Sequence, residues 1–325
     1  MAKKLLLRVF ELLVTLVTIT FISFLLVYLA PMDAAEKILN GQGFVYSEET
    51  VDLLRAQLGL DQNVITQYFS WISHILQGDL GSSFRTGGSV SQMLLPCLVR
   101  TLKLASMAFL ITVVVSLPVG MLCACFQDSP FDRAVRVITY AFASFPSFFI
   151  GFVILWIFAG VLGWIPVSLA TTKTWSALLP AALVLSFNLT AWMTRQVRTV
   201  ALEKLSDGFA VGLRARGVSE FVIFRSYVLR SSLVPIITAL GICLGSVMGG
   251  AVLVENVFSW PGLGQAVITA IDYLDYPVIQ GFTIWIALIY FGINILVDVL
   301  CALADPRMRK GATKEALKNE GGDLV

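Results

Sequence analysis

Apolar residues gather into six long stretches along the 325-residue chain, and none alternates with polar residues at the period of a strand. They run from Val9 to Ala30, from Leu104 to Cys125, within the 36 uncharged residues between Arg136 and Lys173, from Ala177 to Thr194, from Ser231 to Val254, and from Val278 to Val297. A membrane span needs about 20 apolar residues. Only helices and closed barrels satisfy their backbone in lipid, and unalternated runs of this length are helical. The pattern therefore predicts an all-α chain with six transmembrane helices. The third stretch is too long for one span, so we expect a helix from Val137 to Leu162 and then a loop around Gly163-Trp164-Ile165-Pro166. Basic residues in Met1–Arg8 precede a run that reaches Ala30, which is long enough to span and predicts an uncleaved first helix.

Two intervening segments carry helical periodicity of their own. In 31–100, Ser47-Glu48-Glu49-Thr50 leads into Val51, Leu53, Leu54 and Leu58, which reads as a capped amphipathic helix stopped by Gly59. A second helix, Val64 to Leu76, places Tyr68, Trp71, Ile72 and Ile75 on one face, and Gly78, Gly81, Gly87 and Gly88 mark turns after it. In 195–230, Leu202, Leu205, Phe209 and Leu213 recur at helical spacing with one buried face. Gly217 ends that helix, and Val218-Ser219-Glu220 opens another run from Phe221 to Leu229. The stretch from Lys310 to Val325 is polar and reads as a frayed tail.

Composition agrees with the pattern. Hydrophobic residues make up 57% of the chain and charged residues 14%, which excludes a soluble single-domain enzyme and a disordered chain. The net charge of +2 argues against nucleic acid as a partner, but it hides an asymmetry. With the N-terminus inside, segments 1–8, 126–136, 195–230 and 304–325 hold 17 of the 23 Lys/Arg. That bias puts both termini in the cytoplasm of a cell-membrane protein. The outer segment 31–100 carries seven acidic residues against four basic ones. Seven Lys/Arg crowd the inner loop 195–230. Two readings fit that loop: a basic loop obeying the topology rule, or a docking knuckle for a cytoplasmic partner.

Groups for chemistry are scarce. Cys97, Cys123, Cys125, Cys243 and Cys301 read as small apolar residues, and His74, the single histidine, builds no metal site alone. No catalytic, metal or cofactor residues are assigned. No G-x-x-x-x-G-K-[ST] occurs, so this sequence has no P-loop for nucleotide phosphates. Ionisable residues within spans call for a functional explanation. Here Glu11, Glu255 and Asp298 lie only at span edges, where solvent or a partner can reach them. Ser144, Ser147, Ser186, Asn188, Thr190 and Asn294 are left as polar-neutral candidates for lining a pathway. Pro118, Gly120, Pro146, Gly241, Gly245, Gly249 and Gly250 interrupt spans and suit either motion or tight packing.

Several motifs, in one order, resemble the peptide/nickel class of ABC importer permeases, in the subunit with the long first outer loop. They are Leu29-Ala30-Pro31; Leu58-Gly59-Leu60-Asp61-Gln62 before Gln67-Tyr68; Gly78-Asp79-Leu80-Gly81-Ser82-Ser83 before Phe84; Ala215-Arg216-Gly217; and Gly249-Gly250-Ala251. The most specific is Val254-Glu255-Asn256-Val257-Phe258-Ser259-Trp260-Pro261-Gly262-Leu263-Gly264, followed by Asp275-Tyr276-Pro277-Val278-Ile279-Gln280 and Asp305-Pro306-Arg307. The resemblance spans about Arg8 to Arg309.

It implies the type I ABC importer permease fold: residues 1–100 as first helix and outer segment, 101–303 as permease domain, and 304–325 as cytoplasmic tail. It implies a subunit without enzymatic activity or cofactor that forms half of a pathway for small peptides or nickel/metal chelates. The implied partners are two ABC ATPase subunits, a second and different homologous permease, an extracellular substrate-binding protein and the lipid bilayer. The loop residues Gly212, Arg214, Ala215, Arg216, Gly217, Val218, Ser219 and Glu220 would couple it to the ATPases. Arg195, Arg198 and Glu203 fit the family pattern. Leu213 replaces a small residue, Gly212 often a threonine, and Val211 a basic residue. A stand-alone ion channel or secondary transporter is the alternative.

Overall fold

The structure, a computed structural model, describes residues 2–29, 34–41, 47–166, 168 and 175–304. The motif residues Ala30, Pro31 and Asp305-Pro306-Arg307, and the tail beyond Ala304, lie outside the described residues. Among the described residues the regular structure is helical, apart from one antiparallel bridge between Ser82 and Ser89. The helices are α1 (Ala2–Tyr28), α2 (Ala34–Gly41), α3 (Glu48–Leu58), α4 (Val64–Leu76), α5 (Val90–Cys125), α6 (Pro130–Ala143), α7 (Ser147–Leu155, continued by a π-helical turn Trp156–Val161), α8 (Trp175–Ser206), α9 (Gly208–Ala215), α10 (Glu220–Ile223, followed by a π-helical turn Phe224–Val228), α11 (Leu229–Ser231), α12 (Leu233–Val257), α13 (Leu263–Asp272) and α14 (Tyr276–Ala304).

Helices α5, α12 and α14 are long and apolar enough to cross a membrane, and α6 with α7 supplies a fourth crossing if the bent pair counts as one. The fourth expected span lies inside α8; the first, Val9 to Ala30, overlaps α1, which ends at Tyr28 and whose apolar stretch is Phe10–Leu26. The third span departs from expectation. No single helix runs from Val137 to Leu162; α6 begins at Pro130, and α7 leaves it at an angle of 94°. Pro146 has no N–H to continue the ladder, and the residue before a proline is pushed out of helical conformation. The amides of Phe149 and Ile150 then turn to the Pro146 carbonyl and start α7 afresh.

Two compact units divide the chain, the first within Met1–Lys103, Val167–Thr172 and Ala251–Phe291 and the second within Leu104–Pro166, Lys173–Gly250 and Gly292–Val325. In the first, the predicted outer helices form as read. Ser47 caps α3 by accepting the Thr50 amide, Gly59 ends it, and Asn63 caps α4 through the Ile65 amide. Tyr68, 4% exposed, anchors α4 to α1: its hydroxyl donates to the Val17 carbonyl at 3.1 Å, and its ring meets Phe21 and Phe24 edge-on. The α5 helix starts 14 residues before the expected Leu104 because Val90, Leu94 and Leu98 face a core with Leu263, Ala270, Val278 and Ile279. Arg100 and Lys103 stay on the exposed side of that helix.

In the second unit, α8 is a single 32-residue helix that includes Pro180 and runs on into the segment read as loop. Tight packing accounts for three of the interrupting glycines. A side chain at Gly120 would strike the Thr194 carbonyl and Val197, one at Gly241 would strike Val297, and one at Gly250 would press on Leu185. Gly249 has open space around it.

Candidate functional site

Segment 195–230 folds as a knuckle on the end of α8. Its base is electrostatic. Ser129 and Pro130 start α6, and Asp132 in its first turn is wholly buried. The Asp132 carboxylate accepts Arg198 Nε at 2.6 Å and a second guanidinium nitrogen at 2.8 Å, together with the Asp128 amide. Arg136 stands 3.6 Å from the same carboxylate, and Arg195 donates to the Thr139 carbonyl at 2.7 Å. A bidentate guanidinium–carboxylate pair fixes direction as well as distance, so the start of α6 and the C-terminal part of α8 are held in one orientation.

The chain breaks at Ser206-Asp207, so the expected single helix through Leu202 and Leu213 is two. The Ser206 hydroxyl bonds back to the Leu202 and Glu203 carbonyls, and Asp207 turns extended to begin α9. Phe209 does not share the buried face of its neighbours. It is 60% exposed and packs its ring 4.7 Å from that of Tyr227. Beneath it, Ala201, Ala210, Ile223 and Val228 form a small core with Ala124. Leu213, the departure from the family's small residue, packs into this core and is half-buried.

Gly217 ends the knuckle's first helix at φ +80°, a left-handed conformation that costs a side-chain-bearing residue energy. The Val218 amide reaches the Leu213 carbonyl at 3.1 Å and the Gly217 amide reaches that of Arg214 at 2.9 Å, the paired bonds of a Schellman ending. Arg214 then locks the turn. It clamps the Glu220 carboxylate with two nitrogens, at 2.5 and 3.0 Å, and donates a third to the Leu205 carbonyl. Tyr227 donates its hydroxyl to Asp207 at 2.5 Å. These donors hold both carboxyls below their ordinary range, Glu220 through the Arg214 hydrogen bond and Asp207 through that of Tyr227.

The internally braced loop presents Val211, Gly212, Ala215, Arg216, Gly217, Ser219, Phe221 and Val222 to the exterior, with Phe221 72% exposed. Val218 and Arg214 are half-buried, so they shape the knuckle more than they face out. Beside it lies a cleft of about 720 Å³ walled by Leu122, Cys125, Leu202, Leu205, Phe221 and Phe224.

The pathway candidates do not form one group. At the α6–α7 bend, Ser144 is exposed, Ser147 is half-buried, and Asn188 of α8 donates to the Phe145 carbonyl at 3.2 Å. Ser186 is buried and bonds the Leu183 carbonyl of its own helix. Thr190 donates to Thr112 at 3.4 Å, and Asn294 is exposed on α14.

Charge at the span edges differs from expectation in one place. Glu255 is not within reach of solvent; it is 0% exposed. Its carboxylate accepts Thr101 Oγ1 and the Gly264 amide, each at 2.6 Å, and the Gln265 amide at 3.3 Å. A carboxylate at the start of α13 meets unpaired N–H groups and the positive end of the helix dipole. A side chain on Gly262 or Gly264 would occupy the space of that carboxylate, and at Gly264 it would also meet the Val252 backbone. Asp275 does comparable work nearby, accepting Ser83 Oγ at 2.5 Å and the Phe84 amide at 3.0 Å. The sequence reading missed these anchors and the Asp132–Arg198 pair. For Glu255 the signal available was an acidic residue inside an otherwise uncharged motif.

Comparison with known proteins places this geometry. Residues 116–310 match the family described as binding-protein-dependent transport system inner membrane component, and residues 1–124 match the N-terminal family of the same membrane components. A putative peptide transport system permease protein of Brucella abortus (strain 2308) is 34% identical over 309 residues, covering 93% of this chain and 97% of its own. A glutathione transport system permease protein of Salmonella typhi is 33% identical over 302 residues, with coverage of 93% and 97%. In fold, the chain is similar to the methionine ABC transporter MetNI in its inward-facing crystal form, with a TM-score of 0.55 at 20% identity over 66% of this chain and 97% of that one. A multi-pass helical chain with a braced knuckle, related over nine-tenths of its length to transport permeases, belongs to the family of inner membrane components of binding-protein-dependent transport systems.

Proposed function

We propose that this chain is the permease subunit of an ATP-driven importer of small peptides, and that the knuckle from Gly208 to Phe221 is where ATPase subunits dock. The observation that carries the reading is the knuckle itself: an exposed apolar face, Val211, Phe221 and Val222, beside Ala215-Arg216-Gly217, held rigid from within by Arg214 and Glu220. Large apolar side chains exposed together mark an interaction surface. The relatives' names, peptide and glutathione transport, support a small-peptide cargo. In this reading six spans cross the cell membrane with both termini in the cytoplasm. Residues 1–100, 101–303 and 304–325 are the N-terminal segment, permease domain and tail, and a second, different permease completes the pathway. A binding protein delivers cargo on the outer side.

Coupling needs a difference in affinity. A partner that binds both states of the permease equally shifts nothing. The braces supply a route for force: the Arg214–Glu220 clamp joins α9 to α10, and Arg198–Asp132 joins α8 to α6. A push on the knuckle therefore moves helices rather than bending a loop.

The test is Gly217→Trp. Nothing lies within 4 Å of the position a side chain would take, so the change is felt at the exposed face and through the positive φ. The expected result is normal membrane insertion with loss of ATPase copurification or of cargo-stimulated ATP turnover. Unchanged copurification and turnover would remove the knuckle from the docking surface. Cargo is settled by mass spectrometry and metal analysis of the binding protein as purified; nickel or a metal chelate there would displace the peptide reading. Solute movement by the purified chain without ATPase subunits would favour a stand-alone transporter.

A further inference from the structure

Among the described residues, one apolar face of α4 is left uncovered. Ile65, Phe69, Ile72 and Leu76 recur at i, i+4, i+7 and i+11, which places them in one stripe along the helix. Phe69 is 65% exposed and Leu76 83%; Ile65 is exposed and Ile72 half-buried. Contiguous apolar surface of this kind marks contact with a partner or a membrane. The stripe lies beside Tyr68, which faces α1. Thr66, Ser70 and Ser73 take the arc opposite Tyr68 and are exposed. From Gln62 to Gly78 the chain has no Asp, Glu, Lys or Arg, so no permanent charge has to leave water if this helix enters an apolar medium.

Depth separates a membrane from a protein partner. The Tyr68 hydroxyl meets α1 at the Val17 carbonyl and stands 2.9 Å from the Thr20 hydroxyl. Val17 and Thr20 lie nine and six positions inside Leu26, the end of the α1 apolar stretch. At the helical rise per residue, the hydroxyl is about 9–13 Å below that end. The Tyr68 ring is higher, against Phe21 and Phe24, about 3–8 Å below the same end. A second ruler agrees. Ser23 Oγ lies 3.4 Å from Thr283 Oγ1 of α14, and Thr283 is five positions, about 8 Å, inside the span expected from Val278. Ser23 itself is three positions, about 5 Å, inside Leu26, so the two rulers place the edge of the apolar layer within a few ångströms of each other. Interfacial helices sink their apolar face about 5–10 Å into the boundary between headgroups and acyl chains. The middle of α4 lies at that level.

We infer that α4 is an interfacial helix whose stripe of Ile65, Phe69, Ile72 and Leu76 sits among the acyl chains of the outer leaflet, next to those around α1. The inference rests on the reading of α1 and α14 as spans with their Leu26 and Val278 ends outside. It makes the lipid surface a partner of the outer segment, which is then moored to the bilayer by a helix of its own as well as by the span it follows.

The test is photocrosslinking of the full chain in cell membranes. Benzoylphenylalanine replaces one residue at a time, at Phe69, Leu76 and Ser73 on α4 and at Leu13 and Ile22, exposed on opposite sides of α1, and the adducts are identified by mass spectrometry. All five positions are exposed, so the probe displaces no core side chain. Phe69 and Leu76 should carry lipid adducts about 5-fold more often than Ser73 on the polar arc. Adducts at Phe69 and Leu76 to a binding protein or to another permease chain, or lipid adducts there no more frequent than at Ser73, would overturn the inference. The two readings fail separately. Lipid on Leu13 or Ile22 but on neither Phe69 nor Leu76 keeps the span and removes the interfacial helix. Lipid on Phe69 and Leu76 but on neither α1 position keeps α4 in the leaflet and removes α1 as a span.

Discussion

Removing the Arg198 guanidinium tests the base of the knuckle. In Arg198→Met the stem of the side chain remains and only the charged head is lost. Asp132 is then left 0% exposed, without its contacts at 2.6 and 2.8 Å. Breaking one side of a buried pair costs about 3–5 kcal/mol. Two neighbours soften the loss: the Asp128 amide stays at 3.0 Å, and Arg136 is already 3.6 Å from the carboxylate. The low end, about 3 kcal/mol, is therefore the expected cost. The reverse change, Asp132→Asn, strands Arg198, whose side chain is 16% exposed and can turn toward water. It keeps one acceptor and should cost about 1–2 kcal/mol. For a chain of this size 1 kcal/mol moves the melting temperature by about 2 °C, so the two variants should melt about 6 °C and about 3 °C below the parent. The assay is thermal unfolding of the purified chain in one detergent, followed by tryptophan fluorescence. The order of the two variants is the critical result. If Asp132→Asn is as damaging as Arg198→Met, or neither moves by more than a degree, the carboxylate is not a buried charge dependent on Arg198.

Three further outcomes follow from other sites. Gly264→Ala should lower the melting temperature by several degrees, because overpacking costs about 1–3 kcal/mol and the added methyl meets the Val252 backbone as well as the Glu255 carboxylate; a melting curve like the parent's would contradict that packing. Phe221→Asp should leave thermal stability within about 0.5 kcal/mol, since the side chain is 72% exposed, while ATPase subunits no longer copurify; retained copurification would move the docking face elsewhere. Acid should loosen the knuckle. Glu220 and Asp207 are held below their ordinary range by Arg214 and Tyr227, so their bracing is complete above the ordinary carboxylate pKa of about 4 and is lost as pH falls through the lowered values. Hydrogen exchange of residues 205–231, corrected for intrinsic rates, should stay flat from pH 8 to about 5 and rise only below about 4; a rise near pH 6 would implicate another group.

How much of this was legible in the sequence depended on whether the cause was local. The α3 and α4 helices were readable to the residue because Ser47, Gly59 and Asn63 act on amides within a few positions of themselves. The turn at Gly217 was readable for the same reason. The start of α5 was not, since a window that rejects charge stops at Lys103, and only the distant partners Leu263 and Val278 show that Val90, Leu94 and Leu98 belong to a core. Glu255 was misplaced for a related reason. Its position at a helix end says nothing of Thr101, 154 residues away, or of the α13 amides that fold back onto it. The break at Asp207 was hidden because Leu202, Leu205 and Leu213 keep helical spacing across it, and Phe209 fits the pattern while facing outward. Leu213, which the resemblance marks only as a replacement for a small residue, turns inward and packs against the knuckle's own core.

The bend between α6 and α7 also bears on how the chain is made. A freed carbonyl in lipid is expensive unless something donates to it. The Phe145 carbonyl has its donor in Asn188, which is synthesised 43 residues later. While the ribosome is still adding that stretch, nothing from α8 has arrived to complete the corner. If the six-span reading holds, the α6–α7 segment would reach the bilayer before this donor exists and would complete its corner only once α8 is beside it. A ribosome stalled before residue 188 would then hold the bend without the amide that serves the Phe145 carbonyl.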